Sequence, residues 1–163
     1  MIFIGPCIAK KAEYRKEEVK GIVDCVITFE ELQALFDSRN IDLLSLPEES
    51  LDNASYFGRI FARSGGLAEA VAQALCEQNL KSDDFIFSPI SCNGILECKM
   101  SLLKASKGVL PNNFIEGMAC ESGCIGGAAC LTHGPKDKSE VDKYGEEARE
   151  KSITDAISIL NFA

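Results

Sequence analysis

Short apolar runs alternate with amphipathic stretches along the chain, and this order predicts strands and helices in succession. The first run, Ile2–Phe3–Ile4, is followed by Gly5–Pro6, a pair that typically ends a strand. Strands that alternate with helices are typical of parallel sheets. We therefore expect an α/β fold with a mostly parallel sheet of about four strands flanked by helices. The predicted strands lie near residues 1–4, 25–28, 85–88 and 114–117.

Helices are indicated by capping residues and by apolar stripes. Thr28 and Glu31 have the spacing of a capping box, which predicts a helix through about Phe36. A stripe of Leu67, Val71, Ala74 and Leu75 predicts a second helix directly after Ser64–Gly65–Gly66. Further helices are predicted over residues 95–106, in the glycine-rich segment that begins at 123, and over residues 139–160, whereas residues 43–56 are expected to be irregular.

Gly65 and Gly66 precede a helix, where backbone N–H groups face the positive end of the helix dipole. Two interpretations are open at this point. The glycines leave room for an anionic ligand, or they serve only the geometry of the turn.

Composition limits the classes of function. At 163 residues the chain predicts a single domain over residues 1–163, and a net charge of −8 argues against nucleic-acid binding. Its apolar runs are too short for a membrane span or for a signal peptide. We therefore expect a cytoplasmic protein that binds neither nucleic acid nor membrane.

Eight cysteines require an explanation in a protein expected in a reducing compartment. Some, such as Cys25 and Cys76, fit the role of small buried hydrophobic residues. Cys7 follows a predicted strand, and Cys120 and Cys124 are spaced so that both sulfurs can reach one cluster. The absence of a second cysteine knuckle disfavours structural zinc, and an iron–sulfur cluster tolerates ligands that are distant in sequence.

Three segments resemble the iron-only hydrogenase family. FIGPCIAKKAE (3–13) is similar to its second signature, a Pro-Cys followed by a lysine three residues later. FIEGMACESGCIGG (114–127) resembles its third signature, and GRIFARSGGLAEAV (58–71) also matches the family. The resemblance extends over roughly Met1 to Pro135 and leaves residues 135–163 as a C-terminal helical extension.

The resemblance implies an oxidoreductase of hydrogen metabolism in an anaerobe, one that reversibly oxidises hydrogen to protons and electrons and exchanges electrons with a ferredoxin-type carrier. Cys7 and Cys120 would ligate a 4Fe-4S cluster, and Cys124 would bridge that cluster to a di-iron centre with CO and cyanide ligands. Lys10 would bind a cyanide ligand, and Met118 would form a soft apolar wall. The residues expected to contact the cofactor through their backbone or ring are Pro6, Gly65 and Gly66.

The first signature of the family, which provides the fourth ligand of the cluster and a proton-shuttling cysteine, is absent from this sequence. We therefore expect the chain to be one lobe of the hydrogenase domain, with the upstream part of the same domain as its partner. We expect the chain alone to be inactive.

Two other functions remain open alongside the enzyme. One is a hydrogen sensor that binds the same cluster without turnover, and the other is an iron–sulfur assembly protein of the related eukaryotic and archaeal family. Cys92, Cys98 and Cys130 are interpreted as packing residues in preference to a second cluster, and His133, the one histidine, as a loop residue.

Overall fold

The computed structural model describes residues 1–49, 54–80 and 85–158, which fall into two units. The first unit comprises Met1–Leu51 and Ile125–Gly134, and the second comprises Asp52–Cys124 and Pro135–Ala163. Short parallel strands flanked by helices occur in both units, and the predicted α/β class is confirmed.

The first unit is built on two parallel strands, β1 (Ile2–Ile4) and β2 (Cys25–Ile27). The N–H of Gly5 donates to the carbonyl of Ile27 at 3.1 Å and extends this pairing by one residue. Helix α1 (Lys10–Glu13) follows β1, and α2 (Phe29–Ser38) follows β2.

The capping box at the start of α2 is confirmed. The N–H of Glu31 donates to the hydroxyl of Thr28 at 3.2 Å, and the carboxylate of Glu31 accepts from the N–H of Thr28 at 2.9 Å. Both bonds satisfy backbone groups that the first turn of a helix leaves without a partner.

The second unit contains a strand–helix–strand arrangement. Strands β3 (Pro89–Asn93) and β4 (Phe114–Met118) are parallel neighbours, and α5 (Ile95–Ser106) connects them. The other helices of this unit are α3 (Tyr56–Ile60), α4 (Gly66–Glu77), α6 (Asp137–Glu146) and α7 (Ile153–Ser158).

Four details differ from the predictions. The described strands form two sheets of two strands each, so a sheet of about four strands is wrong. The third strand begins at Pro89, where the missing N–H of proline is tolerated, and not near residue 85. The glycine-rich segment forms only a short 3-10 turn over Cys124–Gly126, because glycine disfavours a helix. The long C-terminal helix is divided into α6 and α7, and residues 159 and 160 lie outside the described range.

Helix α6 lies directly against α3. The guanidinium of Arg59 donates to the carbonyl of Tyr144 at 3.0 Å and lies 4.3 Å from the centroid of the Tyr144 ring. Gly145 leaves room for Ile60, which is fully buried, since a Cβ at Gly145 would lie 2.8 Å from the Ile60 side chain. Helix α6 therefore packs against the core of the second unit. None of the helices in the described ranges is both long and apolar enough to cross a bilayer.

Glu77 connects the end of α4 to the start of α7. Its carboxylate accepts from the backbone N–H groups of Ile153 (2.9 Å) and Thr154 (2.8 Å) and from the hydroxyl of Thr154 (2.7 Å). These bonds, with Thr154 N–H contributing most, and a further one from Gln73 lower the pKa of Glu77 to about 2. The carboxylate therefore acts as the cap of α7.

We predict that this cap makes stability depend on pH. Because the pKa of Glu77 is lower in the folded protein than in the unfolded chain, its contribution is complete above about pH 4.5 and is lost as the pH falls towards 2. The melting temperature of Glu77→Gln should therefore fall less than that of the wild type between pH 5 and pH 2. Glu147→Gln, which alters an exposed glutamate of the same unit, is the control and should follow the wild type. Identical pH profiles for Glu77→Gln and the wild type would contradict this role.

Candidate functional site

Cys7 lies just beyond the end of β1, as its sequence position predicts, and its side chain is partly exposed. The carbonyl of Cys7 accepts from the N–H of Lys10 at 3.3 Å, so the cysteine begins the turn that leads into α1. The carbonyl of Pro6 accepts from the N–H of Ala129 at 3.1 Å. The backbone around Cys7 is thus held on both sides.

Lys10 stands one helical turn from Cys7 and forms an ion pair with Glu13, with 2.5 Å between the ammonium and a carboxylate oxygen. The hydrogen bond from Lys10 lowers the pKa of the exposed Glu13 carboxyl. A surface pair of this kind is weak, because water competes for both charges. The pair with Glu13 therefore contributes little to holding the ammonium group in place.

Cys120 and Cys124 flank a tight turn that follows β4. The N–H of Gly123 donates to the carbonyl of Cys120 at 3.2 Å, and Ser122 and Gly123 have φ values of +67° and +85°. Cys120 is partly exposed and Cys124 is exposed. The turn places two thiols on one short segment, as their spacing indicates.

Two hydrogen bonds hold this turn within the second unit. The N–H of Ser122 donates to the side-chain oxygen of Asn93 at 2.5 Å, and the carbonyl of Ser122 accepts from the N–H of Ser64 at 3.0 Å. A Cβ at Gly123 would lie 2.7 Å from the backbone nitrogen of Ser64 and 2.9 Å from the carbonyl oxygen of Ala62. The cysteine turn and the segment before α4 are therefore in direct backbone contact.

The backbone donors at the start of α4 are already used within the chain. Gly65 has φ +89°, and its N–H donates to the carboxylate of Glu116 at 2.9 Å. The N–H of Gly66 donates to the carbonyl of Arg63 at 3.1 Å. A Cβ at Gly66 would lie 2.0 Å from the carbonyl oxygen of Ile60, so close packing explains this glycine. The role of the pair as a contact for diatomic ligands stays a prediction.

Arg63 is a buried cation beside this turn, with 4% of its surface exposed. Its guanidinium donates to Asp142 at 2.5 Å and to Glu69 at 2.9 Å. Burial alone lowers the pKa of Arg63, but these two hydrogen bonds outweigh it and raise the pKa above its usual value. The C-terminal helix α6 thereby supplies one of the two charges that neutralise Arg63.

Met118 ends β4, and its backbone is fixed by two donors. Its carbonyl accepts from the N–H of Gly94 at 2.9 Å and from the thiol of Cys98 at 3.5 Å. The buried thiol of Cys92 donates to the hydroxyl of Ser101 at 3.1 Å. Cys92 and Cys98 thus make internal contacts around β3 and β4, which fits their interpretation as packing residues.

Cys25 and Cys76 are both exposed, so their interpretation as small buried hydrophobic residues is wrong. Cys130 and His133 belong to the first unit. The thiol of Cys130 donates to the carbonyl of Ile125 at 3.1 Å, and Nε2 of His133 lies 2.9 Å from the carbonyl oxygen of Gly127. Both contacts close turns in the glycine-rich segment.

The three proposed ligands are divided between the two units, with Cys7 in the first and Cys120 and Cys124 in the second. Within the described ranges, no three histidine, cysteine or acidic side chains are grouped so that they could hold a metal ion. The chemistry of the donors fits a cluster, because all three are thiols with some exposure and none forms a disulfide.

Two charged residues of this region, Glu116 and Arg63, were not predicted from the sequence. Glu116 belongs to the third signature but carries no predicted role, and Arg63 lies in the matching segment before Gly65. The sequence does offer one signal for each residue. Glu116 is an isolated charge in an apolar strand, and Arg63 lies in an apolar segment; a charge that becomes buried needs partners.

Comparison with known proteins identifies the family. Residues 1–128 match the model of the iron-only hydrogenase large subunit, C-terminal domain. The chain belongs to this family.

Curated relatives of this iron-only hydrogenase domain carry two kinds of names. Iron hydrogenase 1 of Clostridium pasteurianum is 28% identical, with 86% of this chain and 30% of the relative covered. The periplasmic iron hydrogenase large subunit of Nitratidesulfovibrio vulgaris is 31% identical, with 77% of this chain and 37% of the relative covered. A probable cytosolic Fe-S cluster assembly factor of Anopheles gambiae is 26% identical over 78% of this chain and 35% of its own length. The chain thus spans about a third of the length of these relatives.

Solved structures of iron-only hydrogenases share the fold. A variant of the hydrogenase HydA1 from Chlamydomonas reinhardtii superposes with a TM-score of 0.66 at 20% identity, over 98% of this chain and 56% of the other. A hydrogenase structure that describes oxygen inactivation of the H cluster gives the same TM-score at 21% identity, over 98% and 55% of the two chains. At these identities the likeness establishes the fold alone.

We predict that Gly123 is required for the cysteine turn of this hydrogenase domain. Gly123→Ala combines a positive φ with backbone clashes below 3 Å and should destabilise the second unit by about 3 kcal/mol or more. Gly108→Ala is the matched control, because Gly108 also has a positive φ (+67°) but has open space around its Cβ position. It should cost about 1 kcal/mol. Chemical denaturation of both variants measures the difference, and equal losses would argue against the close contact.

Proposed function

We propose that this chain is the cluster-binding lobe of an iron-only hydrogenase domain. Cys7 and Cys120 serve as ligands of a 4Fe-4S cluster, and Cys124 serves both that cluster and a di-iron centre with CO and cyanide ligands. The observation that carries the proposal is the pair of signature segments: Cys7 follows β1, Cys120 and Cys124 follow β4, and none of the three forms a disulfide. Ligands commonly collect at the carboxyl ends of parallel strands.

The other residues of the proposal act on the bound cofactor without ligating iron. Lys10 offers its ammonium group to a cyanide ligand, and its weak surface pair with Glu13 is compatible with that contact. Met118 provides a polarisable apolar contact. Gly65 and Gly66 provide close backbone approach, and Pro6 shapes the turn before Cys7.

When bound, the cofactor would supply reversible oxidation of hydrogen to protons and electrons, with a ferredoxin-type protein as electron carrier. The chain itself would exclude water and hold the thiolates in place. Three thiolates leave one position of a 4Fe-4S cluster to be filled from elsewhere. We therefore assign the remaining ligand and the proton-shuttling group to further polypeptide of the same hydrogenase domain.

Several large apolar side chains favour such a partner. Ile2 and Ile4 on β1 are 59% and 45% exposed, and Leu96 and Leu102 on α5 are 78% and 60% exposed. Helices that are apolar on several faces are usually covered by protein.

Eight cysteines without a disulfide also suit a reducing compartment, which supports a cytoplasmic location.

The ligand set can be tested by anaerobic reconstitution of the full chain with ferrous iron, sulfide and an excess of a small thiol to fill the fourth position. We expect about four iron atoms per chain. Cys7→Ser, Cys120→Ser and Cys124→Ser should each reduce iron uptake severalfold, since serine is a poorer ligand for iron–sulfur clusters. Cys25→Ser and Cys76→Ser, at exposed cysteines outside the signatures, are the controls and should bind as the wild type does.

Two outcomes would contradict the ligand assignment. One is a wild type that takes up no iron in the presence of the thiol, and the other is equal uptake by all five variants.

We also expect no hydrogen evolution from the reconstituted chain alone, because the fourth protein ligand and the proton-shuttling cysteine are missing from it. Measurable turnover would refute the lobe model.

A second function is favoured by the relatives named as cytosolic Fe-S cluster assembly factors. In that case the chain would bind iron–sulfur clusters without a di-iron centre. The two functions differ in a spectroscopic property, since only the hydrogenase cofactor carries CO and cyanide ligands.

We predict infrared bands of CO and cyanide when the chain is produced in a host that matures iron-only hydrogenases. Lys10→Ala should shift the cyanide bands, because it removes the cation proposed to contact that ligand. Lys16→Ala, at an exposed lysine of the same unit, is the matched control. A protein that contains iron and sulfide but lacks these bands would favour the assembly function.

A further inference from the structure

Glu116 is the most deeply buried acidic residue of the described chain, with 1% of its surface exposed. It lies on β4, two residues before Met118 and four before Cys120. An unsatisfied carboxylate in such a position would be strongly destabilising, so its hydrogen-bond partners determine which elements must meet there.

Its partners come from two other elements. One carboxylate oxygen accepts from the N–H of Gly65 at 2.9 Å, and the other accepts from the N–H of Ala68 at 3.0 Å and from the hydroxyl of Ser91 at 3.1 Å. Gly65 and Ala68 belong to the start of α4, and Ser91 lies on the neighbouring strand β3. Glu116 therefore caps α4 from a distant strand, where the positive end of the helix dipole favours a negative charge.

The same region is held at a second point. The carbonyl of Ser122, in the cysteine turn, accepts from the N–H of Ser64. The strand that leads to Cys120 and the segment that leads to Gly66 are thus joined before the cysteine by Glu116 and after it by Ser122. Breaking the first connection would leave Cys120 held mainly from one side.

We propose that Glu116 is the positioning residue of the cluster site, which fixes the backbone of Cys120 relative to the glycine turn and places a constant negative charge near the cluster. The inference rests on the proposed function of the cysteines. Four residues of extended chain span at most about 14 Å, which bounds the distance between the Cα atoms of Glu116 and Cys120 and is a separation over which charges in a protein still interact. A negative charge close to a cluster disfavours its reduction.

The test compares Glu116→Gln with Glu121→Gln. Both remove one negative charge near Cys120, but Glu121 is exposed and Glu116 is buried. After reconstitution we expect both variants to retain iron within about a factor of two of the wild type. For Glu116→Gln we expect a changed electron paramagnetic resonance line shape and a higher reduction potential, because an amide can neither accept from all three donors nor carry the charge. Glu121→Gln should keep the wild-type spectrum.

Two further variants separate positioning from folding. Glu116→Asp keeps the charge and should restore part of the potential, whereas Ser91→Ala keeps the carboxylate but removes one donor and should alter the line shape. Circular dichroism identifies any variant that has not folded, and Ser91→Ala then provides the decisive comparison. The inference is overturned if Glu116→Gln shows the wild-type spectrum and potential, even if its melting temperature falls. If Glu116→Gln does not fold, the same result for Ser91→Ala overturns it. A wild type without a cluster overturns the proposed function, and the inference with it.

Discussion

The second unit depends on the need to satisfy one buried carboxylate. Glu116 is almost fully removed from water, and its oxygens require donors that are equally buried. Those donors are the first turn of α4 and a hydroxyl on β3, so the helix must begin beside the sheet and nowhere else. Gly65 donates its N–H to Glu116 from a turn with φ of +89°. A glycine suits this turn because an L-residue seldom adopts such a φ.

Around Glu116, both ion pairs and glycines bring the chain segments into contact. Arg63 is neutralised by Glu69 within its own segment and by Asp142 on α6, while Gly66 and Gly123 permit backbone contacts that any side chain would prevent. The family match ends at residue 128, yet α6 supplies the charge of Asp142 to Arg63 and packs on Ile60. Helix α6 thus stabilises the environment of the cysteine turn although it lies outside the family model.

Local features of the fold could be predicted from the sequence, and long-range ones could not. The capping box at Thr28 and the helix α4 depend on residues within one or two turns, and both predictions are confirmed. The buried residues of α4 are Gly66, Ala68 and Ala70 and not the predicted apolar stripe. Which strands pair depends on contacts between distant segments, so the division into two small sheets was missed. The partners of Glu116 lie 51 and 48 residues away in the sequence, a separation that no periodicity reveals. The site was predicted through a resemblance, and its ligand roles stay predictions.

The two sheets also bear on what surrounds this chain in its functional state. Parallel sheets are normally covered on both faces, and a pair of strands is marginal without further packing. In the first unit, Ile2 and Ile4 of β1 remain about half exposed, and in the second, Leu96 of α5 is 78% exposed. At about 25 cal/mol per Å² of apolar surface, covering the exposed part of each such side chain would contribute about 1–2 kcal/mol. Under the proposed function, a chain with three cluster ligands and this exposed surface would have both a chemical and a hydrophobic reason to bind further polypeptide of its own domain, and one partner would meet both needs.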